Sequence, residues 1–139
     1  MERDESFGLE KLRETHVVME EKTPNKSAPR SRAQTSRFRL GAAIDTLRAL
    51  PEEEAFDVAF IDADKLSYPK YWTELVPRVR SGGLIMVDNT FSHGRVLDAG
   101  NDNPSVIAVR TMNDHAAADD RVELIMLPIG DGLTVALKH

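Results

Sequence analysis

Apolar and polar positions divide the chain of 139 residues into two parts of different character. Residues 1–36 are dense in charges and turn formers, so we predict a charged, partly disordered N-terminal segment, with a linker over residues 22–36. Within it, residues 15–19 fit a strand or part of a short helix equally well, because their periodicity does not distinguish the two. From residue 37 to residue 139, short apolar runs alternate with amphipathic stretches, which is typical of an α/β domain.

Two apolar runs, at residues 56–62 and 84–88, have the composition of strands that are buried on both faces, as in a parallel sheet. The remaining predicted elements are a short strand at 37–40, a helix at 42–50, a helix at 68–80 that Pro77 could kink, a helix at 104–118, and two strands at 122–128 and 133–138. This β-α-β-α-β-α-β-β order predicts a Rossmann-like, mostly parallel sheet with helices on both faces. The last two strands form a C-terminal antiparallel pair around a hairpin turn at 129–132.

The overall composition excludes several classes of protein. The 23 acidic and 18 basic residues give a formal net charge of −5, so we expect neither nucleic acid nor a membrane surface as a partner. The chain has no cysteine, which excludes disulfides and thiolate metal sites. No apolar run approaches the roughly 20 residues that a membrane span needs. The charged start MERDESFGLE lacks the apolar core of a signal peptide, so we predict a cytoplasmic protein.

Polar side chains stand at the ends of both predicted buried strands. Asp62 ends the first strand, and Asp88 and Asn89 end the second. Because ligands of open parallel sheets bind beyond the carboxyl ends of the strands, these side chains converge if the strands are neighbours. Carboxylate and amide oxygens suit Mg²⁺, Mn²⁺ or Ca²⁺. The alternative is that they cap the next helix or bind water, and spacing alone does not decide between the two.

Several blocks of the sequence, in this order and spacing, resemble the cation-dependent O-methyltransferases, a family that includes caffeoyl-CoA and catechol O-methyltransferases. The blocks are residues 56–65, Tyr68 and Tyr71, and residues 82–89, 93–96 and 127–134. The resemblance covers about residues 37–139 and is strongest from Phe56 onward. It implies transfer of a methyl group from S-adenosylmethionine (SAM) to a phenolic or catechol-type hydroxyl of a small molecule.

The resemblance also implies a role for each residue at the strand ends. It makes Asp62, Asp88 and Asn89 the ligands of Mg²⁺, or of Mn²⁺ or Ca²⁺. Lys65 corresponds to the lysine that takes the proton from the attacking hydroxyl as a general base. The cation would lower the pKa of that hydroxyl, and the positioning of two bound reactants would supply most of the rate gain.

Further residues correspond to positions that contact the cofactor or the substrate in this family. Asp64 matches a residue that contacts SAM, and Gly41, Ala42 and Ala43 match a loop near its adenine. His93 falls where plant relatives have a residue that contacts the substrate, although its residue type differs from theirs.

One part of the family pattern is missing from this sequence. Residues 1–37 contain a single glycine, Gly8, and no strand that leads into a glycine-rich turn for the methionine part of SAM. We therefore predict a methyltransferase domain that is truncated at the N-terminus and impaired in activity. Without the first strands of the family, residues 56–62 would form an apolar sheet edge. The segment at 15–19 or a second chain could fill that edge, and we predict a homodimer or larger oligomer.

Three functions are compatible with these observations. The first is the SAM- and cation-dependent O-methyltransferase. The second is a non-catalytic, oligomeric binding or scaffold module that retains the methyltransferase half-fold. The third is a metal-dependent hydrolase with acidic residues at the strand ends, which is disfavoured because no nucleophile or further carboxylate cluster accompanies Asp62, Asp88 and Asn89.

Overall fold

The computed structural model of the protein describes residues 15–21 and 39–139. Its helices and strands, in chain order, are β1 (Thr15–Glu21), α1 (Ala43–Arg48), β2 (Phe56–Ala63), α2 (Tyr68–Leu75), β3 (Val79–Asp88), α3 (Pro104–Ala117), β4 (Val122–Leu127) and β5 (Leu133–Lys138). Short 3₁₀ segments lie at Lys65–Ser67, Val76–Arg78 and Ser92–Leu97. The five strands form one sheet in the order β1-β2-β3-β5-β4.

The predicted Rossmann-like α/β class and its C-terminal antiparallel pair are confirmed, whereas the described sheet is mixed. β2 and β3 are parallel, but β1–β2, β3–β5 and β5–β4 are antiparallel. A parallel pair requires a crossover connection, and β2-α2-β3 is the unit within residues 39–139 that supplies one. The prediction of a mostly parallel sheet is therefore corrected for this part of the chain.

The described helices share one hydrophobic core with one face of the sheet. Ala59 and Ile61 of β2 and Ile85 and Val87 of β3 are fully buried in the cluster that also contains Trp72 of α2. Their neighbours along the strands are only partly buried and lie outside that cluster; they are Val58, Phe60, Leu84 and Met86. Side chains alternate between the faces of a strand, so these residues line the opposite face. The predicted cover of helices on both faces is not seen among the described residues.

The segment at 15–21 adopts the strand alternative. β1 runs antiparallel to β2, with His16 opposite Asp62 and Val18 opposite Phe60. The edge of β2 is therefore covered by this chain itself, which decides between the two alternatives that the sequence left open. The predicted disorder at 22–36 lies outside the described residues.

Two predicted elements have different bounds in the structure. Arg39 and Leu40 take no regular secondary structure, and Leu40 is 88% exposed. Residues 37–38 of that predicted strand lie outside the described part. The helix predicted at 68–80 ends at Leu75 and passes into the 3₁₀ segment that contains Pro77. Proline removes a backbone donor and favours such a break. β3 consequently begins at Val79, opposite Phe56.

A buried polar contact joins α2 to the turn before β4. The indole Nε1 of Trp72 donates a hydrogen bond to Asp119 Oδ2 at 3.0 Å. Arg121 donates to both oxygens of the same carboxylate, at 2.8 and 2.7 Å. The hydrogen bond from Arg121, followed by that from Trp72, lowers the pKa of Asp119 to about 2. No helix in the described part of the chain is long and apolar enough to cross a membrane.

Candidate active site

The carboxyl ends of β2 and β3 lie side by side, as the sequence predicted. The strands are parallel neighbours, with Ile61 opposite Val87, so Asp62 and Asp88 stand at the same edge of the sheet. Asn89 follows β3 with φ of 58°, a left-handed conformation that asparagine tolerates better than most residues. Its backbone N–H donates to Asp88 Oδ1 at 2.7 Å, which holds the Asp88 carboxylate beside it.

Lys65 connects the two strand ends. Its Nζ donates a hydrogen bond to Asn89 Oδ1 at 2.6 Å and lies 3.4 Å from Asp62 Oδ1. It also donates to the hydroxyl of Tyr68. Asp62, Lys65, Asp88 and Asn89 together form a corner at the edge of the sheet. The Lys65 side chain is 27% exposed and that of Asp62 is 48% exposed, so this corner is open to solvent on one side. The ammonium of Lys65 thus contacts a side-chain oxygen of Asp62 in β2 and one of Asn89, the residue after β3.

Tyr68 packs beneath the Lys65 ammonium and contacts the end of β3, a role that was not predicted from the sequence. The side chain is fully buried, and its hydroxyl donates to the backbone carbonyl of Asp88 at 3.0 Å. Burial, followed by the carboxylates of Asp62 and Asp88, raises the pKa of Tyr68 far above its usual range. The hydroxyl therefore keeps its proton and accepts from Lys65 while donating to Asp88. Its position three residues after Lys65, in the same turn, was the available signal in the sequence.

Asp64 shapes the turn that presents Lys65. Its Oδ2 accepts from the backbone N–H of Ser67 at 3.0 Å, which caps the 3₁₀ segment, and its Oδ1 accepts from the Tyr71 hydroxyl at 2.5 Å. Burial, together with this bond, raises the pKa of Tyr71. Both oxygens of Asp64, predicted as a contact of SAM, therefore already have partners within the chain.

His93 lies on a loop that the β4–β5 turn holds in place. Its backbone N–H donates to Asp131 Oδ1 at 2.5 Å, whereas its side chain is 77% exposed. The backbone of Phe91 also donates to the Asp131 carbonyl, at 2.9 Å. Gly132 packs against the Phe91 ring so closely that an added Cβ would lie 2.5 Å from the ring. The loop that follows Asn89 is thus held at two places, and the His93 imidazole is largely exposed, with its Nε2 3.8 Å from Asp131 Oδ2.

The three predicted contacts of the SAM adenine lie at the start of α1 and make no hydrogen bond to the corner among the described residues; they are Gly41, Ala42 and Ala43. Gly41 has φ of 133° and is exposed, with nothing within 4 Å of the position of an added Cβ. Ala42 is the N-cap of α1 and has no side-chain capping bond. Within residues 39–139, no hydrogen bond links these three residues to Lys65 or to the strand ends.

The donor set of the corner fits a hard divalent cation. Asp62 Oδ1 and Asn89 Oδ1 are already directed at a positive charge, the ammonium of Lys65, and carboxylate and amide oxygens are the ligands such cations prefer. No three His, Cys, Asp or Glu side chains of the described residues cluster as a metal site. A cation here would consequently depend on the amide oxygen of Asn89 in addition to Asp62 and Asp88.

Comparison with known proteins matches residues 16–139 to a family described as O-methyltransferase. A Dictyostelium discoideum protein named "Probable caffeoyl-CoA O-methyltransferase 1" is 46% identical over 105 residues, which are 73% of this chain and 46% of that protein. Caffeoyl-CoA O-methyltransferase 2 of Zea mays is 41% identical over 112 residues, 73% of this chain and 42% of its own length. An O-methyltransferase from Bacillus cereus, solved in complex with SAH, superposes with a TM-score of 0.66 at 32% identity, covering 73% of this chain and 49% of that one.

This chain therefore spans about half the length of the relatives that it matches. The matched region contains both strand ends, Lys65 and the β4–β5 turn. The family predicted from the sequence is confirmed by the family match, the identities and the shared fold. The chain belongs to the O-methyltransferase family.

Proposed function

We propose that this chain provides the cation- and acceptor-binding part of a SAM-dependent O-methyltransferase that acts on a small phenolic or catechol-type hydroxyl. Asp62, Asp88 and Asn89 would hold a divalent cation, and Lys65 would be the general base. The observation that carries the proposal is the convergence of Asp62 Oδ1 and Asn89 Oδ1 on the single ammonium of Lys65 at the carboxyl edge of β2 and β3. The proposal includes a cytoplasmic location.

Lys65 Nζ, in its neutral amine form and after the ammonium has lost a proton to solvent, is the atom that would receive the proton of the acceptor hydroxyl. Asn89 and Tyr68 orient it, and Tyr68 is itself anchored on the Asp88 carbonyl at 3.0 Å. A base held on a buried phenol loses little conformational freedom during the reaction, which is how positioning contributes to rate. When bound, a divalent cation would supply a positive charge that stabilises the phenolate form of the acceptor.

Asp64, Gly41, Ala42 and Ala43 are the candidate contacts of SAM, and His93 is the candidate contact of the acceptor. His93 suits that role because its loop is fixed by Asp131 while its side chain stays open to solvent. Asp64 lies next to Lys65, so a cofactor bound there would lie near the base. The relative from Bacillus cereus was solved in complex with SAH, which supports a cofactor of this class.

The metal site is tested by calorimetric titration of Mn²⁺ into the chain and its Asp62→Ala variant. We expect the variant to bind at least about ten-fold more weakly, since even residues that only orient a ligand are typically worth that much. Asp114→Ala, which changes an exposed carboxylate of α3, is the matched control and should bind as the unmodified chain does. Equal Mn²⁺ affinity for Asp62→Ala and the unmodified chain would contradict the proposal that Asp62 is a metal ligand.

The non-catalytic, oligomeric binding module is the second candidate. It is favoured by the internal partners of both Asp64 oxygens, since a carboxylate that already accepts from Ser67 and Tyr71 has less capacity left to bind a cofactor. Titration with SAM in the presence of Mn²⁺, followed by an assay for methyl transfer to a simple catechol, separates the two. Cation binding without measurable SAM binding favours the module, whereas methylated product establishes the enzyme.

A further inference from the structure

The ammonium of Lys65 makes contacts that a metal ion would need. It is within hydrogen-bonding range of Asn89 Oδ1 at 2.6 Å and of Asp62 Oδ1 at 3.4 Å, two of the three proposed ligands. A Mg²⁺ ion would bind such oxygens at about 2.0–2.1 Å. A divalent cation at that distance and an ammonium on the same two oxygens repel each other at short range. Both cations cannot keep their best positions at once.

Lys65 has a further hydrogen-bond partner, the Tyr68 hydroxyl, that metal binding would leave in place. The Tyr68 hydroxyl accepts from Lys65 and is not among the proposed metal ligands, and it is held by its own bond to the Asp88 carbonyl at 3.0 Å. Because Tyr68 is fully buried, this acceptor stays in place when the strand-end oxygens change partners. Lys65 can therefore leave Asp62 and Asn89 and still be held.

We propose that Lys65 and the divalent cation compete for the oxygens of Asp62 and Asn89, so that cation binding frees Lys65 from these two residues while its hydrogen bond to Tyr68 remains. This inference rests on the proposed function, because it assumes the metal site. Its consequence is an order of events: Lys65, once it has left these oxygens and lost one proton to solvent, becomes available as a neutral amine to an acceptor hydroxyl only when the cation that binds the acceptor is present. Lys65 is thus both the proposed base and a substitute ion that keeps the carboxylate of Asp62 and the amide of Asn89 together.

Competition is tested by calorimetric titration of Mn²⁺ into the chain and its Lys65→Met variant. Removing the ammonium should tighten Mn²⁺ binding by about ten-fold or more, because a hydrogen bond to a charged group is typically worth that factor. Lys70→Met removes an equal charge from an exposed position of α2 and should leave the affinity unchanged. Circular dichroism of Lys65→Met, with Lys65→Gln as a second neutral variant, checks that the fold is kept.

Salt concentration separates direct competition from a general effect of charge. At about 1 M KCl the screening length falls to roughly 3 Å, so a long-range repulsion disappears while occupation of the same oxygens does not. The ratio of affinities between Lys65→Met and the unmodified chain should therefore persist in high salt. In parallel, the side-chain amide resonance of Asn89 should move in the unmodified chain when Mg²⁺ is added, because Asn89 changes partner.

The outcomes distinguish this inference from the proposed function. If neither the unmodified chain nor Lys65→Met binds Mn²⁺, the metal site and the competition both fail. If both bind with the same affinity, or if the gain vanishes in high salt or is matched by Lys70→Met, the metal site stands and the competition is overturned.

Discussion

Lys65 Nζ lies 2.6 Å from Asn89 Oδ1, although 24 residues separate them in the chain. The parallel pairing of β2 and β3 produces this proximity, because it brings the ends of both strands to one edge of the sheet. The buried Tyr68 hydroxyl holds the lysine from the other side. The candidate site is therefore a corner built on two rigid strands, in which a buried phenol sets the position of the amine.

Tyr68→Phe should destabilise the chain and misplace Lys65. The substitution keeps the ring but removes the hydroxyl that donates to the Asp88 carbonyl and accepts from Lys65. Leaving a buried acceptor unsatisfied typically destabilises a fold by about 1–3 kcal/mol. Urea denaturation measures the change. Thr73→Ala, which removes an exposed hydroxyl bonded to its own helix, should alter stability much less. A Tyr68→Phe chain as stable as the unmodified one would contradict the role assigned to this hydroxyl.

Acid should weaken the contact between Trp72 and Asp119 within a defined range of pH. The folded-state pKa of Asp119 is about 2, below the ordinary value of 3.8, so ionised Asp119 stabilises the fold above pH 3.8. That contribution is lost as the pH falls from about 4 through 2, because the carboxylate is protonated first in the unfolded chain. The single tryptophan, Trp72, reports the loss by fluorescence during denaturation at each pH.

Asp119→Asn should remove most of this acid dependence, whereas Asp120→Asn, at the exposed neighbouring position, should retain it. An unchanged dependence on pH between 4 and 2 in Asp119→Asn would show that another group is responsible.

Gly132→Ala should destabilise the chain more than Gly130→Ala. Both glycines have positive φ, 86° and 58°, so each alanine is strained in its backbone. At Gly132 the new Cβ would also lie 2.5 Å from the Phe91 ring, while at Gly130 nothing lies within 4 Å. We expect a loss of about 1 kcal/mol at Gly130 and about 2–4 kcal/mol at Gly132, measured by thermal or urea denaturation. Equal losses would mean that Phe91 moves away freely.

The structure gives a different basis for the predicted oligomer, an apolar face of the sheet in place of an open sheet edge. β1 covers the β2 edge, but the face of the sheet away from the described helices carries a cross-strand row of apolar residues, Phe60, Met86, Val135 and Ile125. We expect a dimer by light scattering at micromolar concentration, and a shift toward monomer in Ile125→Lys, because Ile125 is 55% exposed on that row.

Ile107→Lys is the matched control, since Ile107 is 46% exposed on α3, which belongs to the helical layer. It should leave the mass unchanged. A monomeric mass for the unmodified chain would contradict the prediction of an oligomer.

Local sequence was sufficient to predict most of the elements that form the site. The apolar runs of β2 and β3, and the polar residues after them, were recognisable because strands buried in a sheet have a distinctive composition. The order of the blocks from Phe56 onward also identified the family, which the comparison with relatives confirmed. Helix and strand ends were less predictable, and Pro77 ended α2 earlier than its amphipathic pattern indicated.

The sequence by itself thus determined the family, the α/β class and the candidate residues Asp62, Lys65, Asp88 and Asn89. Only the tertiary structure decided that β1 pairs antiparallel with β2 and that Lys65 reaches across to Asn89 while resting on Tyr68. The physical reason is that periodicity and composition report the neighbours of a residue within its own strand or helix. Strand order, edge pairing and side-chain contacts between elements depend on how separate segments pack together, which local patterns do not encode.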